Sequence, residues 1–152
     1  MRVTVARLVF ELLWVLGASA SPPLPWAPIF SNSSQWINLI AVGTGPVQEH
    51  GVAATSDDLY IIGGISTNAT TPIPPSRRDV SAYNFKTSMW RTAAPIPVGM
   101  THANAAAVDG KIYVLGGLTG NDHDPVWLYT TACFVYDPKI DKWTTLPSMP
   151  ED

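Results

Sequence analysis

Four places in the chain carry residue types that do chemistry. Arg77-Arg78 stands behind Pro72, Pro74 and Pro75, and two adjacent guanidinium forks can clamp a carboxylate or a sulfate. Asn121, Asp122, His123 and Asp124 follow one another, and the oxygens of Asn121, Asp122 and Asp124 suit a hard cation. Three such residues are too few to close a calcium shell alone, so a solvated loop held by Asx turns is the plainer reading of both stretches. His50 and His102 have no second His or Cys at a metal-ligand spacing. Cys133 is the single cysteine, which excludes an internal disulfide framework. No nucleophile–base set, phosphate-cradling loop or H-E-x-x-H pair accompanies these residues, so the sequence leans away from an enzyme and assigns no cofactor, metal or catalytic residue.

The elements that must position these residues are short strands. The chain has 152 residues, enough for one domain with a core. Fourteen prolines and eleven glycines stand beside six tryptophans and five tyrosines, a mixture that favours many turns and strands over helices. The expected class is all-β. Charged residues make up 14% and the net charge is −3, which lacks the basic footprint of a nucleic-acid binder.

Residues 1–20 read separately. Arg2 and Arg7 precede an apolar stretch over 8–17 that ends in Ala18-Ser19-Ala20, the layout of a secretory signal peptide cleaved before Ser21. Glu11 interrupts the stretch, which is shorter than the about 20 apolar residues needed to span a bilayer. No other segment approaches that length, so no transmembrane segment is expected in this chain. The expected location is secreted. The sequons at Asn32 and Asn68 are candidate glycosylation sites on that route.

A repeat organises the remainder. "LYIIGG" ending at Gly64 and "IYVLGG" ending at Gly117 are offset by 53 residues (117 − 64), and the offset holds without a gap. Under it Gly63 maps to Gly116, Tyr83 to Tyr136, Trp90 to Trp143 and Pro97 to Pro150, while Ala53-Ala54 maps to Ala106-Ala107. His102 falls on Glu49, and Cys133 on Val80, which makes the thiol a small packed hydrophobe rather than a nucleophile. A glycine pair, a spaced Tyr and a spaced Trp at a period near 50 resemble the kelch repeat of β-propellers. The resemblance implies two complete four-stranded antiparallel blades, over 50–98 and 99–152. Residues 21–49 would carry the tail of an earlier blade near Trp36.

Each repeat divides into four expected strands. "GVAATS" and "NAAAVD" are innermost, where only small side chains such as Ala53 and Ala105 fit. Tyr60-Ile61-Ile62 and Tyr113-Val114-Leu115 form the second strand, continuously apolar because both faces are covered. The glycine pairs end it and admit a neighbouring ring or backbone. Tyr83 or Tyr136 lies on the third strand, which turns at Asn84 or Asp137, and Trp90 or Trp143 starts the fourth as a wedge between blades.

Alternating turns put one group of connections at each end of such a blade. Loops over 65–79 and 118–130 share an end with the links at Gln48-Glu49-His50 and Met100-Thr101-His102. That end is where recognition is expected, with Arg77, Arg78, His102, Asn121, Asp122, His123 and Asp124 as candidate ligand-binding residues. The reading is a non-catalytic, secreted interaction module that binds a protein or glycan there. The alternative, a piece of a galactose oxidase-like copper radical oxidase, lacks a recognisable histidine pair and finds its only cysteine on a packed strand. Closed propellers take roughly four to eight blades, so two are expected to self-associate or to belong with further blades.

Overall fold

The computed structural model describes residues 4–5, 37–67, 74–121 and 124–150. All the regular structure among them is strand, and no described helix is long and apolar enough to cross a membrane. Two compact units divide the chain. In the smaller, residues 2–41, β1 (Thr4–Val5) pairs antiparallel with β2 (Ile37–Asn38). The rest of the 1–20 leader, Trp36 and both sequons lie outside the described residues.

The larger unit begins at Val42 and holds two four-stranded antiparallel sheets. In the first, β4 (Gly51–Ala54), β5 (Asp58–Ile62), β7 (Val80–Asn84) and β8 (Met89–Ala93) lie side by side in that order. The second repeats the order with β9 (Ala105–Val108), β10 (Lys111–Asn121), β11 (Asp124–Asp137) and β12 (Lys142–Leu146). A short pair, β3 (Val47–Gln48) with β6 (Ile65–Ser66), completes it. Each sheet is one blade of the expected kind.

The 53-residue offset governs hydrogen bonds as well as residue types. The Ile96 amide donates to the Arg78 carbonyl at 3.0 Å, and its counterpart Met149 donates to Thr131 at 2.9 Å. Asn84 Oδ1 accepts from the Lys86 amide at 3.1 Å, as Asp137 Oδ1 does from Lys139 at 3.0 Å. These are Asx turns, and each is followed by a left-handed residue, Ser88 (φ 57°) or Asp141 (φ 51°). Trp90 packs on Tyr83 with centroids 5.2 Å apart, and Trp143 on Tyr136 at 5.1 Å.

Blade packs on blade through the faces bearing Tyr60, Ile62, Val80 and Ala82 on one side and Ile112, Val114, Phe134 and Tyr136 on the other, all buried. Tyr60 meets Tyr136 edge to face at 5.7 Å. Their hydroxyls are buried and each has an acceptor: Tyr60 donates to Asp58 at 3.0 Å and Tyr136 to Asp141 at 2.6 Å. Burial, reinforced by the carboxylate, pushes the Tyr136 hydroxyl up to about 12 and raises that of Tyr60 in the same way. Arg91 bridges Asp58 and the Tyr60 hydroxyl at 3.0 and 3.2 Å. Both peptide groups of Ala94, just after β8, are held by the second blade. Its amide donates to Asp141 at 2.8 Å, and its carbonyl accepts from the Trp143 indole at 2.8 Å. Trp143 therefore fills the expected wedge position and also ties the blades together.

Candidate functional site

The glycine pairs show how the recognition end is built. Gly63 (φ 62°) and Gly64 (φ 89°) lie in the left-handed region, and a Cβ on Gly63 would strike the Met100 carbonyl. The link between blades runs directly over them, its Met100 carbonyl accepting from the Gly64 amide at 2.7 Å. The close neighbour expected there is backbone. This threading brings the link residues to the same end as the connection that follows the second strand.

Glu49 and His102 occupy equivalent steps of successive links, 53 residues apart (102 − 49), and both are left-handed, at φ 57° and 54°. Such a φ is uncommon outside glycine, and its recurrence marks one backbone device used twice. The His102 amide donates to the Glu49 carbonyl at 2.7 Å, which sets the two side chains beside each other. Buried Thr101 joins them. Its Oγ1 is 3.1 Å from both the carbonyl oxygen and Oε2 of Glu49, and 3.2 Å from His102 Nδ1. His102 Nδ1 is 3.8 Å from Glu49 Oε2, so a protonated imidazole gains an ion pair there. Trp127 closes the group, its ring 6.3 Å from that of His102 and its indole N–H held by the Pro74 carbonyl at 3.1 Å. Neither Glu49 nor Trp127 was singled out as a binding residue. The alignment of Glu49 with His102 was a signal for the first; nothing local in the sequence marked Trp127.

The candidate arginines are engaged within the fold. Arg77 Nε donates to Asp79 at 2.7 Å and its terminal nitrogen to the Thr44 carbonyl at 3.0 Å. Arg78 Nε donates to the Ile96 carbonyl at 2.8 Å. Asn121 ends β10 and Asp124 begins β11, while Asp122 and His123 lie outside the described residues. His50, the neighbour of Glu49, is half-buried with Nδ1 unpartnered, and burial lowers its pKa. Among the described residues no three His, Cys, Asp or Glu converge as a metal centre. Cys133 is buried in β11, its thiol donating to the Thr131 carbonyl at 3.4 Å.

One expectation changes. The stretches over 118–121 and 124–130 are not irregular loop: β10 and β11 continue past the glycine pair as a two-stranded ribbon, with register shifts between Leu115 and Gly117 and between Thr119 and Asn121. Leu118, Thr119 and the run from Val126 to Thr131 are apolar, aromatic or β-branched, and so extend the ladder once the shift has absorbed the glycines. In the first blade the corresponding chain leaves its sheet after Ile62 and pairs as β6 with β3.

Comparison with known proteins agrees with this architecture. A sequence model of the Kelch motif matches residues 99–150. The chain is 39% identical over 97% of its length to Kelch-like protein terF of Aspergillus terreus, of which it spans 32%. It is 34% identical over 69% of its length to Kelch-like protein 22 of Rattus norvegicus, spanning 16% of that protein. The solved structure of YjhT superposes on 79% of the chain and 42% of its own, with a TM-score of 0.66 at 23% identity, a likeness of fold. The chain spans about a third or less of the length of these two curated relatives. With its 53-residue repeat, paired glycines and four-stranded blades, the chain belongs to the kelch-repeat proteins.

Proposed function

We propose that the chain acts as an interaction module, binding a protein or glycan at the end where Glu49, Thr101, His102 and Trp127 meet. The supporting observation is that one backbone device, a left-handed link residue, delivers Glu49 and His102 side by side from successive blades. A repeat that fixes the backbone while changing the side chain from carboxylate to imidazole is a means of displaying different chemistry on a rigid frame. The opposite end carries tight turns laced by ion pairs, Lys86 with Asp57 at 2.9 Å and Lys111 with Asp137 at 3.2 Å.

Culture-medium proteins and an immobilised glycan panel are suitable probes. Binding by the unaltered chain is expected to be lost in Glu49→Gln/His102→Ala and kept in Lys86→Ala/Lys111→Ala. The reverse pattern would overturn the assignment of the binding end. The leader-like sequence makes secretion part of the proposal: protein recovered from the medium should begin at or near Ser21, and an intact Met1 would contradict it.

A further inference from the structure

The junction between the two blades holds a carboxylate with no lysine or arginine of its own. Among the described residues, four ion pairs join Asp57, Asp58, Asp79 and Asp137 to a lysine or arginine. The fifth is different: the Glu49 side chain is 31% exposed, and its basic neighbour is the His102 imidazole at 3.8 Å. A carboxylate withdrawn this far from water gains from a full counter-charge, and no described Lys or Arg reaches it.

The hydrogens available decide what the imidazole offers. Thr101 Oγ1 has one hydrogen and lies 3.1 Å from two Glu49 oxygens, so that hydrogen goes to Glu49. The hydroxyl must then accept from His102 Nδ1, 3.2 Å away, which places the ring proton there and leaves Nε2 as an acceptor. The side chains of Glu49 and neutral His102 therefore present only acceptors.

Trp127 is built into the same place. Its indole N–H is spent on the Pro74 carbonyl at 3.1 Å, a Cβ on Gly120 would strike its Cδ1, and its ring meets that of His102 at 6.3 Å. The ring is thus fixed, has no N–H left to give, and stays partly exposed. Pro74 belongs to the first blade, Gly120 and Trp127 to the second, and the Glu49 carboxylate leans on Thr101 of the link between them. The place is formed between two described blades.

We infer, on the strength of the binding end proposed above, that this place takes a guanidinium, the side chain of an arginine on a protein partner. A guanidinium carries donors and no acceptor, matches a carboxylate with parallel N–H groups and stacks on an indole, so it suits all three side chains at once. Carboxylate oxygens accept more than one bond each, so the Thr101 contact leaves room. A neutral sugar hydroxyl can donate to the same acceptors but leaves the carboxylate's charge unmatched, and an acidic peptide meets like charge.

Short Gly/Ser peptides that differ only in a central arginine, citrulline or glutamate test this by NMR on the full chain, read at the Trp127 indole and the His102 ring. The arginine peptide is expected to shift both signals saturably, with citrulline about tenfold weaker or more and glutamate without effect. Glu49→Gln should weaken the arginine peptide by about tenfold or more, and Trp127→Leu by about threefold. His102→Lys, which gives the carboxylate a cation from the chain itself, should abolish binding, and Lys86→Ala at the opposite end should leave it unchanged. Equal shifts from arginine and citrulline, or an arginine peptide held as well by Glu49→Gln, would overturn the inference. A glycan lost in Glu49→Gln/His102→Ala while the arginine peptide shifts nothing would keep the binding end and overturn the guanidinium. Culture-medium proteins, glycans and peptides all untouched by that double variant would overturn both.

Discussion

The two blades share a backbone plan and differ most a few residues beyond their glycine pairs. Equivalent residues make equivalent bonds, from the Asx turns at Asn84 and Asp137 to the link amides of Ile96 and Met149, and Ile65 pairs with Gln48 as Leu118 pairs with Thr101. Past that rung the second blade carries β10 and β11 on as a ribbon. A smaller divergence lies in the first hairpin. Asp109-Gly110 turns with both residues left-handed, at φ 50° and 76°, while the first blade closes over Thr55, whose hydroxyl accepts from the Asp58 amide at 3.1 Å. The difference teaches that the repeat specifies the frame and leaves the ends free to vary.

The largest expected effect separates the two glycine pairs. Gly63→Ala forces a left-handed Cβ into the Met100 carbonyl with the Arg77 carbonyl 3.2 Å away, and backbone on both sides cannot yield. A loss of about 3 kcal/mol or more in urea denaturation is expected. At Gly116→Ala the nearest atom is the flexible Met149 Cε, at 2.5 Å, and the one backbone atom in the way, the Thr130 carbonyl oxygen at 2.8 Å, stands farther off than the Met100 carbonyl does at Gly63, so the loss should be smaller, roughly 2 kcal/mol. Equal losses would show that the links do not lock the two blades differently.

The tyrosines give the next contrast. Tyr136→Phe leaves Asp141 without the 2.6 Å hydroxyl donor and should cost about 1.5 kcal/mol. Tyr83→Phe, at the equivalent position, should cost about 0.5 kcal/mol or less, since its ring packing on Trp90 and Phe85 survives. Comparable costs in chemical denaturation would remove the interface role given to Tyr136.

Acid should act through the same place. The Tyr136 hydroxyl, followed by the Ala94 amide, lowers the Asp141 pKa, so the carboxylate contributes stability above its unfolded value near 3.8. That contribution is lost as pH falls through the lower folded value. The first blade has Ser88 at this position. Asp141→Asn should therefore flatten the decline in melting temperature between about pH 5 and pH 3; a decline as steep as in the unaltered chain would assign it to Asp57 and Asp137, both also lowered. The smallest effect is on rate alone: native Cys133 should react slowly with a thiol reagent and quickly once denatured, and equal rates would contradict its burial.

Strand order and turns were legible because they depend on residues that leave little choice. Glycine at a left-handed position, Asn or Asp at an Asx turn and alanine where strands converge are local requirements, visible wherever the offset repeats them. Gly51 illustrates the last: a Cβ there would lie 3.2 Å from that of Ala103 and 3.5 Å from that of Ala105. The recognition end was legible in position and not in membership. Arg77 and Arg78 stood out as a charged pair, but Asp79 and the carbonyls of Thr44 and Ile96 engage them, all partners that only the folded chain supplies. Trp127 meets His102 across 25 residues (127 − 102), because the ribbon carries it there. Whether the chain past Gly117 loops or continues as strand was decided by pairing, which the local sequence leaves open.

Residue-resolved amide hydrogen exchange on the full chain tests the repeated frame most directly. The account predicts that protection matches in pairs 53 residues apart, Ile96 with Met149, Lys86 with Lys139 and Tyr83 with Tyr136, to within about tenfold. Amides over 119–121 and 126–129 should show no such pairing. Protection without correlation at this offset, or one blade exchanging freely while the other stays closed, would contradict the claim that a single repeated frame supports two different ends.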